Sequence, residues 1–163
     1  MQKLFSPWRS KYIESFSKPP DGDGCVFCVA AASSDDEQHL VVARGKTCFV
    51  IMNLFPYNSG HAMVVPFRHT GEFLELTDEE SLEIMQFLRK LVLALRGSSK
   101  PDGFNIGSNL GRSAGAGIDQ HIHFHIVPRW NGDTNFMPIL ADTKMISEDM
   151  KELYLKLRDS LAK

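Results

Sequence analysis

Histidine and apolar residues alternate over residues 121–126, where His121, His123 and His125 are each followed by isoleucine or phenylalanine. This period of two is that of a β-strand, in which successive side chains point to opposite faces of a sheet. In a helix the same spacing would turn His123 about 200° away from His121. We therefore predict a strand over His121–Val127, with one face toward the core and three imidazoles on the other.

The spacing alone leaves two uses open for the three imidazoles. Same-face Cα atoms of a strand lie about 6.6–7 Å apart, so neighbouring pairs can converge on Zn²⁺, whereas a site made by all three is awkward. The other use is catalysis, because imidazole has a pKa of about 6.5 and serves as nucleophile and as proton donor near neutral pH. A merely polar surface accounts poorly for three of the six histidines falling so close together.

The rest of the chain predicts a mixed fold. Runs rich in β-branched or aromatic residues predict four further strands, at Leu40–Ala43, Thr47–Asn53, His61–Pro66 and Gly103–Asn109. One helix is predicted from Thr77, which opens a capping box, to about Gly97, and a second after Ser147. The order β-β-β-α-β-β-α indicates an α+β domain on a mainly antiparallel sheet.

Composition excludes several classes of protein. With 163 residues, 43% hydrophobic residues and a net charge of −2, the chain suits one globular domain and is not intrinsically disordered. No apolar run approaches the roughly 20 residues of a membrane span, and residues 1–8 do not resemble a secretory leader. The balanced charge argues against binding to nucleic acid. We expect a cytoplasmic protein with neither nucleic-acid nor membrane partners.

The three cysteines are Cys25, Cys28 and Cys48. An odd number without a secretory leader argues against a disulfide framework, so the Cys25-x-x-Cys28 pair indicates metal or redox chemistry. A Zn²⁺ site would need two more ligands, for which the candidates are His39, His69 and His121. Two buried thiols without metal remain an alternative, and a thioredoxin-like pair is disfavoured because no βαβ pattern follows. Cys48 lies in an apolar run and is expected in the core.

The motif His-x-His-x-His, followed by two apolar residues, resembles that of the histidine triad (HIT) superfamily of nucleotide hydrolases and transferases. Asn53, eight residues before His61, matches the wider family, while the flanking VPRW and NGDTNF and the loop Ser113–Ile118 look like the branch that cleaves diadenosine polyphosphates. The resemblance implies a HIT-like α+β fold, with a five-stranded, mainly antiparallel sheet and two principal helices. It would span residues 1–163, with a lead-in over 1–24 and a C-terminal arm and helix over 128–163.

The same resemblance implies cleavage of dinucleoside polyphosphates, such as diadenosine tetraphosphate, at the α-phosphate. His123 would be the nucleophile that forms a covalent nucleotidyl-histidine, and His125 would contact the phosphoryl and bridging oxygens. His61 would stabilise developing charge, and Asn109 would bind the bridging oxygen. Water or phosphate would then release the nucleotide. Whether the backbone carbonyl of His121 or that of His123 orients the nucleophile stays open.

Substrate-binding residues are also implied. Asn53 resembles a ribose-contacting residue, and Ser113, Gly115 and Gly117 belong to a glycine-rich loop suited to a phosphate. Without the adjoining histidines, an ordinary flexible connection would explain that loop. One position departs from phosphoramidase-type relatives, which carry a serine where this chain has Ile118. This departure weakens the phosphoramidase interpretation. The alternatives to the leading hypothesis are an adenosine phosphoramidase-type hydrolase and a nucleotide-binding sensor with little turnover.

The resemblance finally implies a structural Zn²⁺ held by Cys25, Cys28, His69 and His121, and no organic cofactor. It also implies a homodimer with two sites. The segment Asn131–Pro138 would be an arm that reaches the partner's site, although Trp130 packed over the sheet edge is an equally open interpretation.

Overall fold

The computed structural model describes residues 24–133 and 149–162. Most of the expected lead-in over 1–24, and residues 134–148 of the expected arm, lie outside these described residues. Among the described helices, none combines the length and apolar character needed to cross a membrane.

The described residues form one five-stranded sheet. Its strands are β1 (Val41–Arg44), β2 (Cys48–Met52), β3 (Ala62–Pro66), β4 (Gly103–Gly107) and β5 (Phe124–Arg129). The order in space is β1-β2-β3-β5-β4, and each neighbouring pair is antiparallel. The predicted five-stranded antiparallel sheet is confirmed.

The histidine strand lies further along the chain than predicted. It begins at Phe124 rather than His121, because the Ile122 N–H donates to the Thr70 carbonyl at 2.7 Å instead of to a neighbouring strand. At its other end it includes Pro128. That proline fits there because β3 pairs only with the first half of β5, so no ladder hydrogen bond is lost on that side.

Within the described residues, three α-helices accompany the sheet: α1 (Val26–Ala32), α2 (Asp78–Ser98) and α3 (Met150–Leu161). α2 has the predicted capping box, in which Thr77 and Glu80 each accept a hydrogen bond from the other's backbone N–H. The Asp149 side chain caps α3 by accepting from two backbone N–H groups. The short helix α1 adds to the two principal helices that the sequence predicts.

The helices cover opposite faces of the sheet. α2 and α3 pack on one face, where their apolar residues meet the inward side chains of the strands, among them Val50, Val64 and Ile126. α1 packs on the other face against Phe49 and Met63. Cys48 is fully buried in the larger core. Because Ile126 faces that core, the alternation of β5 turns His125 to the face that carries α1.

Candidate active site and metal centre

Three histidines meet on this second face of the sheet. His125 lies in β5, His123 immediately precedes that strand, and His61 immediately precedes β3. The ring centroid of His125 is 4.8 Å from that of His123 and 5.0 Å from that of His61. The structure therefore places together the three imidazoles that the sequence singled out for catalysis.

The ring of His123 is held in one orientation. Its Nδ1–H donates to the backbone carbonyl of His121 at 2.9 Å, which leaves Nε2 with a lone pair. The carbonyl of His123 itself accepts instead from the Ser108 hydroxyl at 2.8 Å. The structure thus distinguishes the two carbonyls that the sequence left open. Burial lowers the pKa of His123, which favours the neutral ring that a nucleophile requires.

A chain of hydrogen bonds fixes the proton on His125. The Tyr57 backbone N–H donates to His61 Nδ1 at 3.0 Å, so His61 carries its proton on Nε2. That N–H donates to His125 Nδ1 at 2.9 Å, which places the His125 proton on Nε2. His125 Nε2 is buried and has no partner in the described part of the chain. It is a buried N–H donor on a residue that borders a cavity.

Electrostatics keep His125 neutral. Burial, with a smaller contribution from the neighbouring His123, lowers the pKa of His125 to about 4. At neutral pH the ring is therefore uncharged in the free protein, and it serves as a neutral hydrogen-bond donor.

Two cavities flank the histidine pair. One, of about 430 Å³, is bordered by His125 together with Tyr57, Ser108, Asn109 and Arg129. The other, of about 220 Å³, is bordered by His123 and by mostly apolar side chains, including Phe27, Ala30, Ile51, Leu54 and Ile118. A ligand that spans both cavities would pass the two histidines.

Asn53 lies on the wall of the apolar cavity and is only 6% exposed. Its Oδ1 accepts from the Phe55 N–H at 2.9 Å, and its Nδ2 lies 3.3 Å from His61 Nδ1. The amide therefore supports the turn after β2 and the ring of His61. Contact of Asn53 with a ribose stays a prediction.

The glycine-rich loop lies apart from the histidines. Ser113 is exposed within a 3-10 turn, and Gly115 ends that turn with a φ of +94°, which favours glycine. Neither these residues nor Gly117 borders the two cavities. Their predicted contact with phosphate stays a prediction that this geometry does not favour.

A second cluster contains the four predicted metal ligands. The donor atoms of Cys25, Cys28, His69 and His121 all lie within 4.8 Å of one another. Sγ–Nδ1 distances are 3.3 Å for Cys25 and His121, 3.2 Å for Cys28 and His69, and 3.6 Å for Cys28 and His121. Tetrahedral Zn²⁺, with bonds of about 2.3 Å to sulfur and 2.0–2.1 Å to nitrogen, requires S–N edges of roughly 3.5 Å. The cluster fits a zinc site.

The surroundings of His121 suit this role. Its buried ring donates from Nε2–H to the Pro66 carbonyl at 2.9 Å, which leaves Nδ1 unprotonated toward the cysteines. Such an outer hydrogen bond is typical of metal-ligating histidines. The other candidate, His39, is not part of the cluster and borders the apolar cavity instead.

Sequence reasoning missed three residues of the site. Ser108 and Tyr57 act on the histidines through a backbone carbonyl and a backbone N–H, which leave no pattern in the sequence. Phe27 lies between the two cysteines of the Cys-x-x-Cys pair, and this position in the sequence could have indicated that its ring lies close to the metal site.

Comparisons with known proteins agree with this geometry. The profile of the HIT domain matches residues 35–132. The chain is 40% identical over 156 residues to a Mycobacterium tuberculosis protein named AP-4-A phosphorylase, covering 93% of this chain and 80% of that protein. It is 31% identical over 107 residues to an adenosine 5'-monophosphoramidase of Schizosaccharomyces pombe, covering 66% of this chain and 75% of that protein.

A solved structure points to the same family. The crystal structure of a zinc-bound histidine triad family protein from Mycobacterium smegmatis superposes with a TM-score of 0.68 at 28% identity, covering 85% of this chain and 94% of that one. The histidine arrangement, the sheet and these likenesses lead to one conclusion. The chain belongs to the HIT domain family.

Proposed function

We propose that this protein cleaves dinucleoside polyphosphates of the diadenosine tetraphosphate type, through a covalent nucleotide on His123. One observation carries the proposal: a neutral His123, whose Nδ1 hydrogen bond leaves a lone pair on Nε2, stands between two cavities and beside a His125 N–H that has no partner among residues 24–133 and 149–162. The name of the Mycobacterium tuberculosis relative supports the substrate class.

In the first step, His123 Nε2 attacks the α-phosphorus, so that a P–N bond forms and the bond to the bridging oxygen breaks. The leaving polyphosphate takes the electron pair of that bond. His125 Nε2–H hydrogen-bonds the bridging oxygen as its charge develops, and Asn109, which borders the same cavity, would assist. His61 holds the ring of His125 in the required tautomer.

The two cavities divide the substrate between them. The apolar cavity beside His123 suits the base and sugar of the nucleotide that is transferred, with Ile51 and Phe27 among its walls. The larger cavity beside His125 suits the leaving nucleotide. Phe49, on the same face of the sheet, is fully buried against Phe67 and is not part of this wall.

The acceptor in the second step is tested by product analysis. Diadenosine tetraphosphate is incubated with the protein, with and without inorganic phosphate. A phosphorylase yields ADP and ATP only when phosphate is present, and a hydrolase yields AMP and ATP from water. We expect an adenylylated peptide containing His123 in acid-free digests of either reaction. Substrate that binds tightly without turnover or adenylylated protein would instead indicate a sensor.

The phosphoramidase alternative is less well supported. At the position where phosphoramidase-type relatives carry a serine, Ile118 borders the apolar cavity and offers no hydroxyl. Rates on an adenosine phosphoramidate and on diadenosine tetraphosphate, measured side by side, would reverse this order of preference if the phosphoramidate were the faster substrate.

The metal cluster supports a structural role for Zn²⁺. Four protein ligands close a tetrahedral site and leave no position for substrate, so bound Zn²⁺ would supply stability rather than Lewis acidity. Metal analysis of protein purified without chelator should find about one Zn²⁺ per chain. Protein that contains reduced thiols and no metal would rule out this zinc site.

The proposed homodimer has a candidate surface on β4 and α2. β4 is an edge strand of the described sheet, and beside it Met85, Leu93 and Ile106 form an exposed apolar groove. Two copies related by a two-fold axis would pair their β4 edges and cover both grooves. This arrangement would pair the backbone N–H and C=O groups at the edge of β4 and would also bury the apolar groove.

Replacing Leu93 by glutamate should convert the dimer to a monomer, because it places two like charges in a self-complementary apolar contact. The measurement is the molar mass by light scattering. Leu74→Glu is the matched control, since Leu74 is 93% exposed and lies in the 3-10 turn Phe73–Glu75, outside the groove. If both variants keep the mass of the unmodified protein, this surface is not the interface.

A further inference from the structure

His121 belongs both to the metal cluster and to the hydrogen bonding of the nucleophile. Its Nδ1 lies 3.3 Å from Cys25 Sγ, while its backbone carbonyl accepts the Nδ1–H of His123 at 2.9 Å. The residue is fully buried, and its Nε2 is held by Pro66. Because ring and carbonyl belong to one tightly packed residue, a shift of the ring moves the group that orients His123.

Phe27 makes a second connection between the two sites. It lies in α1 between the two cysteines and is 3% exposed. Its ring centroid is 5.4 Å from that of His121 and 5.0 Å from that of His123. The helix that supplies a metal ligand therefore also places an aromatic ring against the nucleophile.

The two ends of α1 are held differently. At its C-terminal end, the Arg44 guanidinium donates to the carbonyls of Ala30, Ala31 and Ser33 at 2.7–2.9 Å. At its N-terminal end, Cys25 makes no side-chain capping hydrogen bond. A helix of 7 residues is too short to be stable by itself. Besides the buried ring of Phe27, Cys25 and Cys28 would anchor the first turn as metal-bound thiolates.

We propose that the metal cluster positions the nucleophile. A cation held by Cys25 and Cys28 fixes the first turn of α1 and the ring of His121, and these hold His123 through Phe27 and the His121 carbonyl. His121 and Phe27 are positioning residues, and the cation contacts no substrate. The inference rests on the proposed role of His123, and it extends the cluster's role from anchoring the chain to controlling the reacting imidazole.

The test compares protein loaded with Zn²⁺, stripped by a chelator, and reloaded with Zn²⁺ or Cd²⁺. Rapid-quench single-turnover assays measure formation of adenylyl-His123. Displacement of a reacting group by about 1 Å costs up to about 10²-fold, so we expect the stripped protein to react about 10- to 100-fold more slowly. Both metals should restore the rate within about threefold, because a cation that only positions residues need not be a particular Lewis acid.

A spectroscopic measurement separates this inference from the proposed function. The Nδ1–H proton of His123 should give a slowly exchanging NMR signal in the loaded protein and lose it in the stripped protein. This holds even if the loaded protein forms no adenylyl-His123, a result that would refute the proposed function alone. A persistent signal, an unchanged rate in stripped protein, or restoration by Zn²⁺ but not Cd²⁺ would overturn the inference.

If stripping unfolds the chain, substitution of Phe27 decides the question with the metal in place. Phe27→Leu should keep about one metal ion per chain and lower the adenylylation rate at saturating substrate about tenfold. Val29→Leu is the control, because Val29 lies on the same helix, is 46% exposed and does not border the apolar cavity. A Phe27→Leu variant that differs from the control only in KM, with the His123 N–H signal intact, would contradict positioning by Phe27.

Discussion

Replacing His123 by asparagine is expected to lower turnover of diadenosine tetraphosphate by at least about 10³-fold, because loss of a nucleophile removes the covalent path altogether. Asparagine keeps a polar side chain of modest size at a position that is 6% exposed, so the change should disturb packing little. The rate is measured by separating the nucleotide products. The variant should also form no adenylylated protein.

A control in the same segment distinguishes chemistry from folding. Gln120 is exposed, lies three residues before His123, and borders neither cavity. Gln120→Asn should therefore leave turnover within about twofold of the unmodified protein, as is usual for exposed positions away from special contacts. Turnover by His123→Asn within tenfold of this control would show that another group attacks phosphorus.

The sequence was sufficient for the features that depend on local patterns. Alternation by two predicted a shared face for the imidazoles, and the Cys25-x-x-Cys28 spacing indicated a metal site. The histidines proposed to complete that site came from the family resemblance, because the residues alone left three candidates. The capping box at Thr77 located the start of the long helix. These signals are short in range, so no knowledge of the packing was needed to interpret them.

Features that depend on distant contacts were not predictable. β5 begins later than predicted because the Ile122 N–H donates to the carbonyl of Thr70, which lies more than fifty residues earlier in the chain. The short helix α1 has too few residues for a periodic pattern and depends on Arg44 at its end. Glycine density drew attention to the loop at Ser113, yet glycine only permits a loop conformation and does not decide what the loop touches.

The protonation pattern of the site is the clearest case of this limit. Which nitrogen of His61 carries the proton is set by the backbone N–H of Tyr57, a group that every non-proline residue has. This proton position in turn places the proton of His125 on Nε2, which is buried without a partner in the described residues, and His125 borders the larger cavity. The sequence proposes the histidines, and tertiary structure assigns donor and acceptor among them.

This assignment leads to a second large effect. His125→Leu replaces the N–H donor by an apolar group of similar size at a half-buried position, so the transition state loses a hydrogen bond to the departing oxygen. Loss of one such donor costs about 10²–10³-fold in rate when charge develops on the leaving atom. Turnover of the phenyl ester of AMP, a substrate with a weakly acidic leaving group, should fall by this amount.

The dependence on the leaving group identifies the role of His125. The 4-nitrophenyl ester of AMP releases a more acidic phenol, which departs with less help, so its rate should fall only about tenfold or less in the same variant. Each ester serves as the control for the other, because both carry the nucleotide proposed to occupy the apolar cavity and both rates are measured on the same preparation of the variant. A misfolded variant would lose the two activities equally. Equal loss in a protein with an unchanged melting temperature would show that His125 acts before the P–O bond breaks, in binding rather than on the departing oxygen.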